Sequence, residues 1–311
     1  MFYVATLIGS ADQPAVDDGL AQQVARYLPY GRPIDWLAPG IAVDVAFLLD
    51  DADAPDKRNL LRDFAADIRD IIGTRPVDVV IQPHDGRRKK LLVADMDSTM
   101  ILQECIDELA DYAGFKDRVA AITERAMRGE IAFEPALRDR VALLRGLPKT
   151  VIDRVISERI RLMPGGPTLV ATMRANGAYT CVVSGGFTAF TARIAAMIGF
   201  DEQRANTLLT DAAGNLSGEV AEPIVGREAK LNTLIALRQR LGLEQNETLA
   251  VGDGANDIPM IAAAGLGVSF HGKPAIRDAA PLASVDHGDL TALLYAQGYR
   301  REEFVERAPR A

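Results

Sequence analysis

Two carboxylates stand two residues apart at Asp95 and Asp97, directly after the apolar run Leu91–Ala94. The run is typical of a buried strand, and in an extended segment residues i and i+2 point to the same side. We therefore expect the two side chains to lie close together, with like charges that need a cation nearby. Such a pair can supply a nucleophile and a separate proton donor. It is also compatible with a turn or a helix cap at the end of a strand.

A second candidate lies in the turn Ser184-Gly185-Gly186, which follows the apolar run Tyr179–Val183. A small hydroxyl and two glycines at the start of a helix allow backbone N–H groups to point at an anion, and the helix dipole favours negative charge there. The turn therefore fits a phosphate. An ordinary tight turn in which Ser184 caps the helix is the alternative.

A third turn, Gly252–Asp257, follows another apolar run and contains Asp253, Asn256 and Asp257. Carboxylate and amide oxygens in a glycine-rich loop are hard ligands of the kind that Mg²⁺ prefers. Lys230 comes shortly before, at the start of a helical run, and is one of few cations near these turns. The alternative for Lys230 is a solvated lysine at a helix end.

If the three turns meet, they form a site for phosphoryl transfer. Mg²⁺ between Asp95 and Asp253 would neutralise the repulsion within the carboxylate pair and screen an incoming phosphate. Asp95 could then attack phosphorus to form an aspartyl-phosphate, while Asp97 protonates the leaving alcohol and later deprotonates the attacking water. Ser184, its neighbouring N–H groups and Lys230 would hold the phosphoryl oxygens, on which negative charge spreads.

Parallel strands would bring these turns together. From residue 91 onward, apolar strands alternate with amphipathic helices, which predicts a parallel α/β sheet with ligands at the carboxyl ends of its strands. The segment from Gln103 to about Arg161 has a helical pattern and is too long for a simple crossover, so we expect a helical insertion that covers this edge like a lid. The predicted strands are Lys90–Ala94, Tyr179–Val183, Thr248–Val251 and Leu266–Phe270.

Residues 1–84 show a different pattern, in which strand, helix, strand, strand, helix and strand follow one another. This βαββαβ order predicts a ferredoxin-like α+β domain. The polar segment 85–90 is predicted to be a linker, with Arg87-Arg88-Lys89-Lys90 as a solvated lead-in to the next strand. We therefore divide the chain into a domain at 1–84, the linker and an α/β domain at 91–311, with the helical lid at about 103–161.

Composition argues against several classes of protein. The chain has 311 residues, 48% apolar side chains and a formal net charge of −8, which predicts a globular protein and argues against binding to nucleic acid or anionic membranes. Two cysteines and three scattered histidines indicate neither a disulfide framework nor a His-rich metal site. Because we see no signal segment and no run of about 18 apolar residues, we expect a cytoplasmic protein with a small-molecule partner.

The motifs resemble, in order and spacing, those of the haloacid dehalogenase (HAD) superfamily of Mg²⁺-dependent phosphohydrolases. They are Asp95-Met96-Asp97-Ser98-Thr99, Ser184-Gly185-Gly186, Lys230 and Gly252-Asp253-Gly254-Ala255-Asn256-Asp257. Within the superfamily, residues 104–107, 133–141 and 183–187 are similar to the phosphoserine phosphatases, and the likeness covers roughly residues 90 to 290. The resemblance implies a HAD-like Rossmannoid sheet with a helical cap. It also implies hydrolysis of O-phospho-L-serine through an aspartyl-phosphate, the last step of L-serine biosynthesis.

For catalysis, the resemblance implies that Asp95 is the nucleophile and Asp97 the general acid/base. Mg²⁺ would be bound by Asp95, the backbone carbonyl of Asp97 and Asp253, with Asp257 in support. The residues placed at the phosphate would be Ser184, Gly185, Lys230 and Asn256.

For the substrate, the resemblance places Glu104 at the amino group and Arg140 at the carboxylate of the serine moiety, with Met127 and Phe133 shaping the lid. A carboxylate can accept an ammonium, and a guanidinium can grip a carboxylate with two parallel hydrogen bonds. From the residues alone, Glu104 and Arg140 are also typical of solvated charges on helix faces.

The N-terminal part resembles an ACT-type regulatory domain in the order of its elements. Because Leu7–Asp12 lacks the glycine-rich effector loop of that family, a degenerate spacer or a dimerisation module is the alternative, and a homodimer is left open. Two other functions are compatible with the motifs: transfer of the phosphoryl group to another alcohol, and an amino-acid sensor that binds phosphate without turnover. The presence of both Asp95 and Asp97 argues against the sensor.

Overall fold

A ferredoxin-like unit forms the first part of the fold. The computed structural model describes residues 1–30, 34–49, 57–127 and 130–306. The elements of the first unit are β1 (Phe2–Gly9), α1 (Asp18–Tyr27), β2 (Asp35–Ala38), β3 (Ala42–Leu48), α2 (Lys57–Ile72) and β4 (Val77–Pro83). The strands pair in the order β2-β3-β1-β4, and every pair is antiparallel. The predicted ferredoxin-like arrangement is confirmed.

A parallel α/β sheet follows from residue 91. Its elements are β5 (Leu91–Ala94), α3 (Cys105–Tyr112), α4 (Lys116–Met127), α5 (Phe133–Ala142), α6 (Thr150–Glu158), α7 (Gly166–Ala175), β6 (Tyr179–Phe187), α8 (Thr188–Ile198), β7 (Glu202–Asn206), β8 (Leu208–Thr210), β9 (Leu216–Val220), α9 (Arg227–Arg240), β10 (Thr248–Gly252), α10 (Ile258–Ala263), β11 (Leu266–Phe270), α11 (Pro274–Ala279), β12 (Ala283–Val285) and α12 (Ala292–Ala296). The strands pair in the order β12-β11-β10-β5-β6-β7, all parallel. All four predicted strands are present.

Strand β5 is buried on both faces of the sheet. Leu92 and Ala94 point into the hydrophobic cluster on one face, and Leu91 and Val93 point into the cluster on the other. A strand of a parallel sheet that is covered by helices on both sides is expected to be apolar at every position. The apolar strand ends at Ala94, and the carboxylates of Asp95 and Asp97 follow directly.

Helices α3 to α6 form the predicted helical insertion, here called the cap. Its core includes one face of α6, where Val151, Ile152, Val155 and Ile156 are buried. A hairpin of β8 and β9, which the sequence did not predict, packs against α5. Backbone bonds from Gly146 to Leu216 and from Leu216 to Leu147, both 2.8 Å long, tie the cap to this hairpin.

The ferredoxin-like unit and the α/β unit share one sheet. Strand β4 pairs antiparallel with β12, with Val80 opposite Ala283 and Val79 opposite Ser284. Ten strands are therefore continuous in hydrogen bonding. The division of the chain at residues 84 and 91 stays a prediction about domain organisation.

The buried carboxylate of Asp78 stabilises the junction between β4 and β12. Asp78, in β4, is 5% exposed and accepts backbone N–H bonds from Asp286 at 2.8 Å, His287 at 3.1 Å and Gly288 at 3.0 Å. Three successive N–H groups form a concave site that favours a negative charge. All three donors follow β12. The Asp78 carboxylate of the ferredoxin-like unit therefore accepts backbone hydrogen bonds from the α/β unit.

The basic segment before β5 is only in part the solvated lead-in that its sequence predicts: Arg88 and Lys90 are exposed, whereas Lys89 is buried and Arg87 is largely so. Lys89 is 6% exposed, and its Nζ donates to the carbonyl oxygens of Gly86 at 3.1 Å and Asn246 at 2.9 Å. Burial lowers the pKa of Lys89 to about 8. Arg87 pairs with the buried Asp44 at 2.5 Å. The shared sheet is the reason, since it places this segment between the two units.

Among the described residues, none of the helices combines the length and the hydropathy that a membrane crossing requires. Cys105 and Cys181 are buried free thiols.

Replacing Asp78 by Ala should lower the free energy of unfolding by about 2–4 kcal/mol, because three buried N–H donors lose their acceptor. Urea denaturation followed by circular dichroism measures this change. Asp85→Ala is the matched control, since the Asp85 side chain is 96% exposed. Equal stability of the Asp78 and Asp85 variants would contradict the assigned role of this junction.

Candidate active site

The ends of β5, β6 and β10 carry the three predicted turns to one edge of the sheet. Ala94 lies opposite Val182 on one side and Val251 on the other. The N–H of Asp95 donates to the carbonyl of Val251 at 3.0 Å, so the carboxylate pair begins where the strand pairing ends. Ser98 then adopts a left-handed conformation with φ of +55°, which turns the chain toward the cap.

A buried ammonium group lies behind this edge. Lys230, near the start of α9, is 1% exposed, and its Nζ lies 2.6 Å from Oδ1 of Asp95 and 2.7 Å from Oδ1 of Asp257. Asp257 also accepts the N–H of Gly254 at 3.2 Å. A solvated lysine at a helix end is therefore the wrong alternative for Lys230, which joins the first and third turns.

Burial and crowding shift the pKa values of these groups. Burial alone would lower the pKa of Lys230, but the carboxylates of Asp95 and Asp257 raise it above its ordinary value. Burial raises the pKa of Asp95 well above its usual range, the Asp257 carboxylate raises it further, and Lys230 opposes both. The pKa of Asp253 is raised by burial as well. A cation among these carboxylates would relieve their repulsion.

Asp97 contacts the second turn directly. Its Oδ2 accepts a hydrogen bond from the Ser184 hydroxyl at 3.0 Å, and its Oδ1 accepts the N–H of Cys105 at 2.9 Å. The Ser184 oxygen accepts the N–H of Gly186 at 2.8 Å. Burial raises the pKa of Asp97, while the bonds from Cys105 and Ser184 oppose the rise. A carboxyl group with a raised pKa is suited to donate a proton.

Two glycines leave space for side chains in these turns. A Cβ atom on Gly252 would overlap the carboxyl group of Asp257. A Cβ atom on Gly186 would lie 3.0 Å from Oγ of Ser184 and 3.1 Å from Oδ2 of Asp97. Glycine therefore lets the backbone approach the reactive carboxylates closely.

The turns open into a cleft of about 180 Å³ beneath the cap. The ring of Phe133 covers part of it and lies against Gly185 and Gly226, where an added Cβ atom would be 3.3 Å from the ring in each case. The two glycines thus allow the cap to come close to the turn that is predicted to hold phosphate.

Two side chains of opposite charge line the cleft from the cap side. Arg140 is half-buried, and its Nε donates to the carbonyl of Ala136 at 3.2 Å. Glu104 is open to water within the cleft and accepts a hydrogen bond from the Ser98 hydroxyl at 2.9 Å. Desolvation by the walls of the cleft raises the pKa of Glu104 to about 7. The Asp97 carboxylate adds to this rise, and the hydrogen bond from Ser98 opposes it. Neither charge lies on an outer helix face.

The structure brings together nearly all of the predicted site residues. Asp257 lies just behind the cleft, in contact with Lys230. Met127 ends α4, and its side chain lies outside the described part of the structure. The predicted residues that line the cleft are Asp95, Asp97, Glu104, Phe133, Arg140, Ser184, Gly185, Lys230, Asp253 and Asn256.

Sequence reasoning missed one charged residue that lines the cleft. Lys273 follows β11, lines the cleft, and places its Nζ 3.2 Å from Oδ2 of Asp253. A signal was available, because β11 was predicted as a parallel strand and its carboxyl end reaches the same edge as the others. The turn after β11, His271-Gly272-Lys273, contains no carboxylate and so lacks the signal that marks the first and third turns.

Three carboxylates are placed to hold a metal ion. One oxygen of each lies within 4.8 Å of the others, and the residues are Asp95, Asp253 and Asp257. Carboxylate oxygens are hard donors, and a cluster of three fits a divalent cation such as Mg²⁺.

Comparison with known proteins finds similar hydrolases, in agreement with the geometry of the site. The family model of haloacid dehalogenase-like hydrolases matches residues 92–262. A phosphoserine phosphatase from Streptomyces coelicolor is 45% identical over 218 residues, which cover 70% of this chain and 52% of that protein. The chain therefore spans about half the length of this relative.

Two solved structures extend the comparison. A HAD-family hydrolase from Salmonella enterica serovar Typhi has a TM-score of 0.79 at 28% identity, and the match covers 94% of this chain and 98% of that one. A phosphoserine phosphatase described as a phospho-aspartyl intermediate analogue has a TM-score of 0.62 at 36% identity, covering 68% of this chain and 99% of that one.

Replacing Lys230 by Met should lower the free energy of unfolding by about 3–5 kcal/mol near pH 8, because the buried Asp95 and Asp257 lose their cation. Without Lys230 the folded-state pKa of Asp95 rises further above its unfolded value, so protonation restores part of the stability. The loss should therefore be smaller at about pH 5 than at about pH 8. Denaturant titrations at both pH values measure it, with the exposed Lys149→Met as control. A loss independent of pH would contradict this account.

Proposed function

The chain belongs to the haloacid dehalogenase-like hydrolases, and on this premise we propose that it is a Mg²⁺-dependent phosphoserine phosphatase. It would hydrolyse O-phospho-L-serine to L-serine and phosphate, as the last step of L-serine biosynthesis in the cytoplasm. The observation that carries the proposal is the position of Asp95 beside Asp97, in a cleft whose other wall presents Glu104 and Arg140.

Asp95 is the proposed nucleophile. One of its oxygens is held by Lys230 at 2.6 Å and by the N–H of Met96 at 2.8 Å, which fixes the direction of the carboxylate. An oxygen of Asp95 forms a bond to phosphorus while the bond from phosphorus to the serine oxygen breaks, and an aspartyl-phosphate results. The solved phospho-aspartyl analogue of a phosphoserine phosphatase supports this step.

Asp97 is the proposed general acid and base. Its raised pKa favours a proton on the carboxyl group, which passes to the serine oxygen as that oxygen leaves. Asp97 then takes a proton from water as the water attacks the aspartyl-phosphate, and the bond from Asp95 to phosphorus breaks. The hydrogen bonds from Ser184 and Cys105 hold Asp97 in place for both transfers.

The phosphoryl group would lie between the second turn and Lys230. The Ser184 hydroxyl, the N–H groups around Gly185 and the Lys230 ammonium provide donors for oxygens on which negative charge increases during transfer. Asn256 lines the same part of the cleft.

The metal ion would be held by Asp95 and Asp253, with the backbone carbonyl of Asp97 as a further ligand and Asp257 in support. When bound, it would neutralise the crowded carboxylates and withdraw electron density from the phosphoryl oxygens. The fit rests on the three clustered carboxylate oxygens.

Glu104 and Arg140 are the proposed specificity residues. Arg140 can bind the substrate carboxylate through a planar pair of N–H donors, and Glu104 can accept the ammonium group. An ammonium beside Glu104 would also offset the rise of its pKa to about 7. Phe133 would close the cleft above the serine moiety and exclude water.

Replacing Asp95 by Asn should reduce phosphate release from O-phospho-L-serine by more than about 10³-fold, because the nucleophile is lost. Acid-stable labelling of the chain by ³²P-phosphoserine should disappear with it. EDTA should abolish release by the unaltered protein, and Mg²⁺ should restore it. Asp85→Asn on the exposed loop is the control. Unchanged release by the Asp95 variant would contradict the assigned nucleophile.

Replacing Arg140 by Ala should lower kcat/KM for O-phospho-L-serine by about 10²-fold, because the substrate carboxylate loses a charged partner. The value for p-nitrophenyl phosphate, which has no carboxylate, should change little. Arg138→Ala is the matched control on the same helix, where the side chain is exposed and pairs with Glu222. Equal losses on both substrates would show that Arg140 acts on the fold rather than on specificity.

A further inference from the structure

We propose that Lys273 is a positioning residue that serves as the counter-cation of Asp253 and sets the affinity of the cleft for divalent cations. This inference rests on the proposed metal dependence and adds to it a residue that competes with the ion for the same carboxylate.

The turn after β11 is built to place Lys273. His271 adopts a left-handed φ of +45°, while its N–H donates to the carbonyl of Val285 at 2.8 Å. A Cβ atom on Gly272 would overlap Oγ of Ser269. These constraints leave the chain little freedom between β11 and Lys273, so the position of the lysine is set by the fold.

Lys273 contacts Asp253 twice. Its N–H donates to the backbone carbonyl of Asp253 at 3.0 Å, and its Nζ lies 3.2 Å from Oδ2 of the same residue. The Asp253 side chain is 9% exposed, whereas that of Lys273 is 55% exposed. The carboxylate is thus fixed in the wall of the cleft, and the ammonium is free to move into water if a second cation arrives.

The ion pairs of the cleft show that Lys273, rather than Lys230, neutralises Asp253. Lys230 is already shared between Asp95 and Asp257. Among the described residues, the ion-pair partner of Asp253 is Lys273. Burial raises the pKa of Asp253, and the Lys273 ammonium opposes that rise.

Two consequences follow for the protein. Without a metal ion, Lys273 reduces the repulsion among the clustered carboxylates, so the cleft keeps its geometry. When a divalent cation binds, its charge and the ammonium repel each other, so the lysine weakens binding. Lys273 therefore lowers the affinity for the divalent cation and raises the stability of the metal-free protein.

The test uses the full chain with Lys273→Gln and Lys273→Met. Isothermal titration with Mg²⁺ should show about three- to tenfold tighter binding in both variants, the range being modest because the lysine is half-exposed. The Tm without metal should fall by about 2 °C or more. Because tighter binding stabilises the folded state more, the deficit should close at saturating Mg²⁺. Lys273→Arg keeps the charge and should resemble the unaltered protein, as should the exposed Lys149→Met.

Unchanged or weaker Mg²⁺ binding in the Gln and Met variants would overturn the proposal, and so would a Tm deficit that Mg²⁺ leaves in place. These outcomes concern Lys273 alone. If the unaltered chain binds no Mg²⁺ in the same titration, the proposed metal dependence fails instead.

Discussion

The site depends on one charged amine held in the interior of the protein. The Lys230 ammonium lies within 2.7 Å of two carboxylates that belong to different turns, and water has almost no access to it. A buried ammonium is costly unless it is paired, and each of the two carboxylates would be costly without the amine. The three groups therefore stabilise one another only when β5, β10 and α9 are packed in this arrangement. Folding and assembly of the site are in this sense the same event.

The sheet provides the rest of the positioning. Residues that are far apart in the chain reach one edge because parallel strands end there together, and small residues at that edge leave room for the carboxylates. Gly252 gives space to Asp257, and Gly185 and Gly226 give space to the ring of Phe133 from the cap. The close approach of the cap and the close approach of the carboxylates thus have the same cause, which is the absence of side chains where the layers meet.

The sequence was informative where chemistry and periodicity coincide. The carboxylates of the first and third turns could be located because each lies at a change from apolar to polar residues, and the four predicted parallel strands because each is an apolar run. Other features had no such signal. Strand β7 reads Glu-Gln-Arg-Ala-Asn and lies at an edge of the sheet, where polar residues are tolerated. The pairing of β4 with β12 rests on backbone hydrogen bonds, and the role of Asp78 depends on a loop 208 positions away. The side chain of Met127 lies outside the described structure, so its predicted part in the lid stays a prediction.

The junction between β4 and β12 has a consequence for synthesis of the chain. The ferredoxin-like unit emerges from the ribosome first, but the strand that completes its outer edge is made about 200 residues later. Until then β4 presents unpaired backbone groups, and the Asp78 carboxylate lacks the N–H groups that it binds in the finished protein. An unpaired edge of this kind can join another chain, so the nascent protein is open to aggregation until β12 has been synthesised. The shared sheet thus makes the last strand to be synthesised the one that protects the first unit.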